Sequence, residues 1–186
     1  MSDGQRYDLL VKGVRLARPN QNETATTDIA VKDGKFAQVA PGLSAADARE
    51  VVDGEGLIAF PGLVDAHMHV GIYSPLEQDA VTESKAAAMG GVTSAITYFR
   101  TGDYYLNKSG PYEEFFPEVL RLSEGNYWVD YAYHLAPINR FHIDEMPLLL
   151  ERHGVSSFKI FMFYGGHGLH GRSSTQRNFL HLEEGE

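Results

Sequence analysis

Between Leu57 and Phe163, strand-like and helix-like runs alternate, and this rhythm narrows the folds open to the chain more than any other feature. Leu57 to Val70 contains a strand, Glu77 to Met89 has helical composition ending at Gly90-Gly91, and Thr93 to Phe99 is a run of β-branched and aromatic residues. Tyr112 to Ser123 reads as a helix, with Pro117 as an alternative start because proline is best tolerated in a first turn. Val129 to Leu135 is a third strand, Asp144 to His153 a helix that Gly154 can stop, and Ser157 to Phe163 a fourth strand. Strands joined through helices in series predict a parallel sheet, since parallel neighbours need crossover connections. Four such strands are half of a closed eight-stranded barrel, which typically takes about 250 residues.

Before this series, Tyr7 to Gly56 reads as β structure. Leu9, Val11, Val14 and Leu16 form one run, and Ile29, Val31, Phe36 and Val39 flank Asp33-Gly34, a strong hairpin signal because glycine accepts the positive φ of a tight turn. The expected fold class is therefore α/β: the first half of a (β/α)8 TIM-type barrel preceded by a small β-sandwich module. The expected division is a β module over residues 1–56, four βα units over 57–164, and a polar loop or tail over 165–186. Open parallel edges are a liability. The chain is accordingly expected to be a fragment, or to rely on other copies to cover those edges.

Composition bounds the partners. With 43% hydrophobic residues the chain can bury a substantial core, and its net charge of -9 opposes nonspecific attraction to nucleic acid or anionic lipid. A small-molecule partner, with no nucleic acid and no membrane, is expected. The absence of cysteine excludes thiolate ligands and disulfides, so a metal would be held by His or carboxylate. The N-terminus lacks the apolar core of a signal peptide, and a cytoplasmic location is expected.

Two segments carry chemistry. In Phe60-Pro61-Gly62-Leu63-Val64-Asp65-Ala66-His67-Met68-His69, residues two apart on a strand share a face. His67 and His69 would point together and could reach one metal, with Asp65 on the same face to orient one imidazole. Two unrelated histidines are the competing reading of a bare His-x-His, but the position at the end of the first barrel-type strand favours metal. The second segment is Ser156-Ser157-Phe158-Lys159-Ile160-Phe161-Met162. Desolvation inside an apolar strand favours the neutral form of the Lys159 amine, which can add carbon dioxide to give a carbamate able to bridge two cations. A lysine that snorkels to water is the alternative.

Taken in order, the β module, the Pro-Gly-Leu-Val-Asp-Ala-His-Met-His segment, Gly90-Gly91-Val92-Thr93, Asp130-Tyr131 and Phe158-Lys159-Ile160-Phe161-Met162 resemble the hydantoinase and dihydropyrimidinase branch of the amidohydrolase superfamily, over roughly residues 7 to 165. The resemblance implies that His67 and His69 bind the more buried of two zinc ions and that Lys159, carboxylated, bridges the pair. It implies that Tyr164 stabilises the oxyanion formed when hydroxide attacks the amide carbonyl. A strand-end aromatic is the plainer reading of Tyr164. The reaction implied is hydrolysis of a cyclic amide or ureide C–N bond, of the hydantoin or dihydropyrimidine type, by a homo-oligomer, either dimer or tetramer.

Dihydroorotase or allantoinase is the nearest alternative, and a noncatalytic dihydropyrimidinase-related scaffold is the alternative of another class. Two further histidines and an aspartate of the family pattern are expected beyond Glu186, so the chain as given is expected to be inactive or nearly so. His167, His170 and His181 follow too closely behind the fourth strand to replace them and are read as loop residues, and Glu183, Glu184 and Glu186 as a solvated chain end. His134, alone on the third strand, reads as a hydrogen-bonded core residue. His142 and His153 read as ordinary loop and helix-end residues.

Overall fold

The structure is a computed structural model and describes residues 5–72, 74–101, 106, 108–138 and 140–160. It divides into two compact units, Met1–Pro61 and Gly62–Glu186. The boundary falls at Pro61 rather than after Gly56 because Ile58 and Ala59 still pair with the first strand.

In the first unit, β1 (Tyr7–Leu16), β2 (Ala25–Lys32), β3 (Lys35–Ala40), β4 (Ala48–Asp53) and β5 (Ile58–Ala59) form one mixed sheet. The order is β3-β2-β1-β4, with β5 also on β1; β4 and β5 run parallel to β1, and β2 antiparallel to it. Among the described residues the strands make this single sheet, whereas a sandwich requires two packed layers. The Asp33-Gly34 hairpin is present, with φ of 51° and 70°, the pair of positive values that a type I′ turn demands. Tyr7, Leu10, Ala30 and Ala48 form its core.

An irregularity in β1 between Val11 and Val14 is held from the side by buried Asp28. Its carboxylate accepts the amides of Gly13 and Leu43, both at 2.8 Å, and the Lys12 ammonium at 3.2 Å. Burial pushes the Asp28 carboxyl up, but the two amides and Lys12 together outweigh it and hold its pKa below the usual carboxylate range.

The second unit runs β6 (Leu63–His69), α1 (Leu76–Met89), β7 (Val92–Phe99), α2 (Tyr112–Ser123), β8 (Asp130–Leu135), α3 (Arg140–Asp144) and α4 (Met146–His153). The strands form a parallel sheet in the order β6-β7-β8, as the alternation predicts. Its core gathers Val70, Tyr98, Phe99, Phe116, Val119 and Leu135 with neighbouring side chains of the helices. Beyond β8, Phe158 makes a parallel bridge to Leu135 and the Lys159 amide donates to the Leu135 carbonyl at 2.9 Å, so the fourth strand position begins here. Residues 161–163 of the expected strand lie outside the described residues.

Helix α2 begins at Tyr112 and carries Pro117 in its interior, so the alternative start at Pro117 does not hold. Its N-cap position is Pro111, which has no side-chain acceptor. The buried Glu145 carboxylate serves instead, accepting the amides of Tyr112 at 2.8 Å and Glu113 at 3.1 Å. Gly154, at φ 66°, ends α4 as expected, and the amides of Gly154 and Val155 close back on Leu150 and Leu149. Among the described residues no helix is long and apolar enough to cross a membrane.

Candidate metal centre

The chemistry-bearing residues of the second unit converge at the C-terminal ends of its parallel strands, the end at which barrels and open α/β sheets place their sites. His69 ends β6, Tyr98 is next to last on β7, and His134 is next to last on β8. In register, His69 pairs with Tyr98 and Tyr98 with His134, so the three stand in one row across the sheet.

Strand β6 carries a bulge between Asp65 and Met68, where three residue steps face two on β7. Bulges re-aim side chains, and this one lies under the His-x-His pair. His67 Nε2 and His69 Nε2 stand 3.1 Å apart, with ring planes at 80°. Lys159 Nζ lies 3.3 Å from His67 Nε2 and 6.0 Å from the Tyr98 ring centroid. The Tyr98 ring, itself buried, lies 6.0 Å from His67 and 5.0 Å from His69 between centroids.

Both imidazoles are held toward the neutral form. Desolvation lowers the His67 pKa most, followed by the charge of Lys159 and by His134, with Asp65 opposing; for His69 the causes are desolvation, then His67, then Lys159. A neutral imidazole is the form that presents a lone pair to a metal.

The geometry fits a cation. Two nitrogen atoms, His69 Nε2 and Lys159 Nζ, approach His67 Nε2 within hydrogen-bonding distance. Two nitrogen ligands on one tetrahedral ion at about 2.0 to 2.1 Å stand roughly 3.3 to 3.4 Å apart, close to the separation of the two imidazole nitrogens. Among the described residues no group of three or more His, Cys, Asp or Glu side chains gathers, and the side chain that stands beside the histidine pair is Lys159.

Asp65 has a different partner from the one expected: its carboxylate accepts the His67 main-chain amide at 3.0 Å. It therefore fixes the backbone of the bulge, not an imidazole nitrogen. Tyr164, His167, His170 and His181 lie outside the described residues. His134 is hydrogen-bonded at both ring nitrogens, at 2.8 Å to the Ala66 carbonyl and 2.7 Å to Ser157 Oγ. Sequence reasoning passed over Tyr98 and Ser157. Ser157 stands two residues before Lys159, the spacing by which a strand returns to the same face, and that was the available signal.

His142 and His153 are more firmly tied than their positions in the sequence suggest. Buried His142 accepts the Ile138 amide at Nδ1 and donates from Nε2 to the Gly110 carbonyl, both at 3.0 Å. His153 Nε2 stands 3.1 Å from the Glu113 carboxylate.

No family model matches the chain. It is 32% identical over 142 residues to a D-hydantoinase of Geobacillus stearothermophilus, covering 74% of this chain and 29% of that protein. An allantoinase of Bacillus velezensis is 43% identical over 89 residues, covering 47% of this chain and 19% of the allantoinase. Among solved structures, a D-hydantoinase superposes with a TM-score of 0.68 at 28% identity, covering 83% of this chain and 33% of that one. A dihydropyrimidinase from Brevibacillus agri gives 0.68 at 25% identity with the same coverage. The chain thus spans less than a third of these curated relatives and about a third of the solved chains. The chain belongs to the amidohydrolase superfamily.

Proposed function

We propose that the whole protein hydrolyses a C–N bond of a cyclic amide or ureide, of the hydantoin or dihydropyrimidine type, at a zinc centre held in part by His67, His69 and Lys159. The observation that carries this reading is the approach of His69 Nε2 and Lys159 Nζ to His67 Nε2, at 3.1 and 3.3 Å. His67 and His69 supply neutral nitrogen lone pairs. Lys159, half-buried beside them, forms the bridge as a carbamate: its neutral amine attacks carbon dioxide, an N–C bond forms, one N–H proton leaves to solvent, and an anionic pair of oxygens results. A zinc pair bound there would lower the pKa of coordinated water toward about 7 and polarise the substrate carbonyl. Tyr164, five residues after Lys159, donates a hydrogen bond to the oxygen that gains charge in the tetrahedral state.

The same reading makes β6, β7, β8 and the strand position opened by Phe158 the first four strands of an eight-stranded barrel. Leu63 and Val64 on β6 are 52% and 66% exposed, whereas strands of all-parallel sheets are ordinarily buried on both faces, which fits a sheet that further strands complete.

Allantoin or dihydroorotate hydrolysis is the second reading. The allantoinase at 43% identity and a dihydroorotase of Citrifermentans bemidjiense at 38% over 90 residues favour it, on stretches shorter than the D-hydantoinase match. The deciding experiment gives the full-length protein zinc and then hydantoin, dihydrouracil, dihydroorotate and allantoin, following ring opening. Opening of hydantoin or dihydrouracil is the expected result. Bound zinc with opening of allantoin or dihydroorotate alone selects the second reading, and a protein that retains no zinc is a scaffold.

A further inference from the structure

The bulge beneath His67 takes the Ala66 carbonyl out of regular pairing with β7, and a side chain from a strand that does not neighbour β6 reaches it. His134, on β8, places Nε2 at 2.8 Å from that carbonyl. A carbonyl only accepts, so Nε2 carries the proton and Nδ1 is left to accept from Ser157 Oγ at 2.7 Å. The His134 ring lies 5.7 Å from the His67 ring, yet both of its nitrogens are engaged with protein oxygens. Ser157 in turn stands two residues before Lys159. One chain of hydrogen bonds, Ser157 to His134 to Ala66, therefore ties the segment carrying Lys159 to the bulge carrying His67, spanning β7 without using it.

We propose that His134, with Ser157, is a positioning residue for the metal centre: it clamps the bulge so that the His67 imidazole and the Lys159 amine meet, and it does not itself ligate metal. This rests on the metal-binding reading given above. Groups that fix the orientation of a ligand without touching the ion typically change metal affinity by 10–100-fold when replaced. Because the clamp acts on the backbone beside His67 and not on its ring, the loss on breaking it belongs at the lower end, about tenfold.

The test uses the full-length protein, with zinc affinity measured by competition against a chromophoric chelator. His134→Leu is expected to bind zinc about tenfold more weakly, and Ser157→Ala more weakly than the parent. His134→Gln, whose side-chain amide can still donate to the Ala66 carbonyl, is expected to recover most of the loss. A Gln variant no better than Leu would overturn the clamp, as would parental affinity in the Leu variant. Nitrogen NMR of the parent histidines supplies a readout that needs no variant to fold. His134 should keep its Nε2 proton when zinc is added, while His67 and His69 present Nε2 to the ion; loss of the His134 proton would make it a ligand and end the proposal. Failure of the parent to take up zinc would instead bring down the metal-binding reading, and this inference with it.

Discussion

Removing the Glu145 carboxylate should destabilise the second unit more than most single substitutions do. The magnitude follows from what the carboxylate holds. The N-terminus of α2 has Pro111 at its cap, so no cap side chain satisfies the first helical amides, and Glu145 accepts those of Tyr112 and Glu113 from another element. Tyr112 is buried, so in Glu145→Ala its amide loses the carboxylate where water does not readily replace it. A buried donor without a partner costs about 1–3 kcal/mol. Loss of an anion at a helix N-terminus costs about 0.3–1 kcal/mol more. With the Glu113 amide free to rehydrate, Glu145→Ala should lose about 1–4 kcal/mol. Glu145→Gln keeps one acceptor oxygen and sheds the charge, so about half that loss is expected. Urea unfolding of the full-length protein, followed by far-ultraviolet circular dichroism with metal removed, measures both. An Ala variant within about 0.5 kcal/mol of the parent, the range of ordinary surface changes, would refute the assignment of Glu145 as the cap.

In the first unit, Asp28→Ala strips the acceptor from the Gly13 and Leu43 amides and should cost about 2–4 kcal/mol by urea unfolding. Because the folded Asp28 carboxyl is held below its usual pKa, its stabilisation is present above the unfolded value of about 3.9 and is lost as pH falls through the folded one; Asp28→Asn should flatten that acid limb, and an unchanged limb would count against it. At the edge of β6, a Cβ added at Gly62 would run into the Thr93 side chain and stand 2.7 Å from its Cβ. Gly62→Ala should therefore loosen the β6–β7 pairing at a cost of about 1–3 kcal/mol, read as a lower melting temperature, and Thr93→Gly in the same protein should recover part of it.

The elements of the second unit were legible because each is marked twice, by periodicity and by punctuation. Gly90-Gly91 and Gly154 follow their helices, and the alternation of strands with helices specifies a parallel sheet; in the first unit Asp33-Gly34 marks the hairpin in the same way. The extent of β5 was not legible, since Ile58 and Ala59 read equally as the start of the next strand and only their pairing with β1 assigns them. The start of α2 was ambiguous for a related reason. Proline at 117 suggests a first turn, but the capping group comes from Glu145, 33 residues beyond Tyr112, and no local pattern announces it. At the candidate metal centre, period-two spacing brings His67 and His69 together, and the order of the segments brings Lys159 to them. Its limit is the bulge: strict alternation puts Asp65 beside the imidazoles, whereas the extra residue turns its carboxylate to the His67 amide.

The bulge also explains why the site needs more than its ligands. A regular parallel β6 would present residues 65, 67 and 69 as one evenly spaced row, with neighbouring side chains in that row roughly 7 Å apart along the strand. In the bulged strand the Nε2 atoms of His67 and His69 are brought to 3.1 Å, short of the separation that like groups in water would choose once both are protonated. Three features oppose that separation. Tyr98 lies beside both rings, limiting their retreat into the sheet. Asp65 accepts the His67 amide and His134 takes the Ala66 carbonyl, so the one peptide group that joins Ala66 to His67 is tied down at both its N–H and its C=O. Desolvation, and with it the Lys159 charge, lowers the pKa of both imidazoles, which favours the neutral forms that do not repel each other. The imidazole pair is thus gathered by the fold itself, so under the proposed zinc-binding reading the cost of bringing these two groups together is met in folding rather than at the moment of binding.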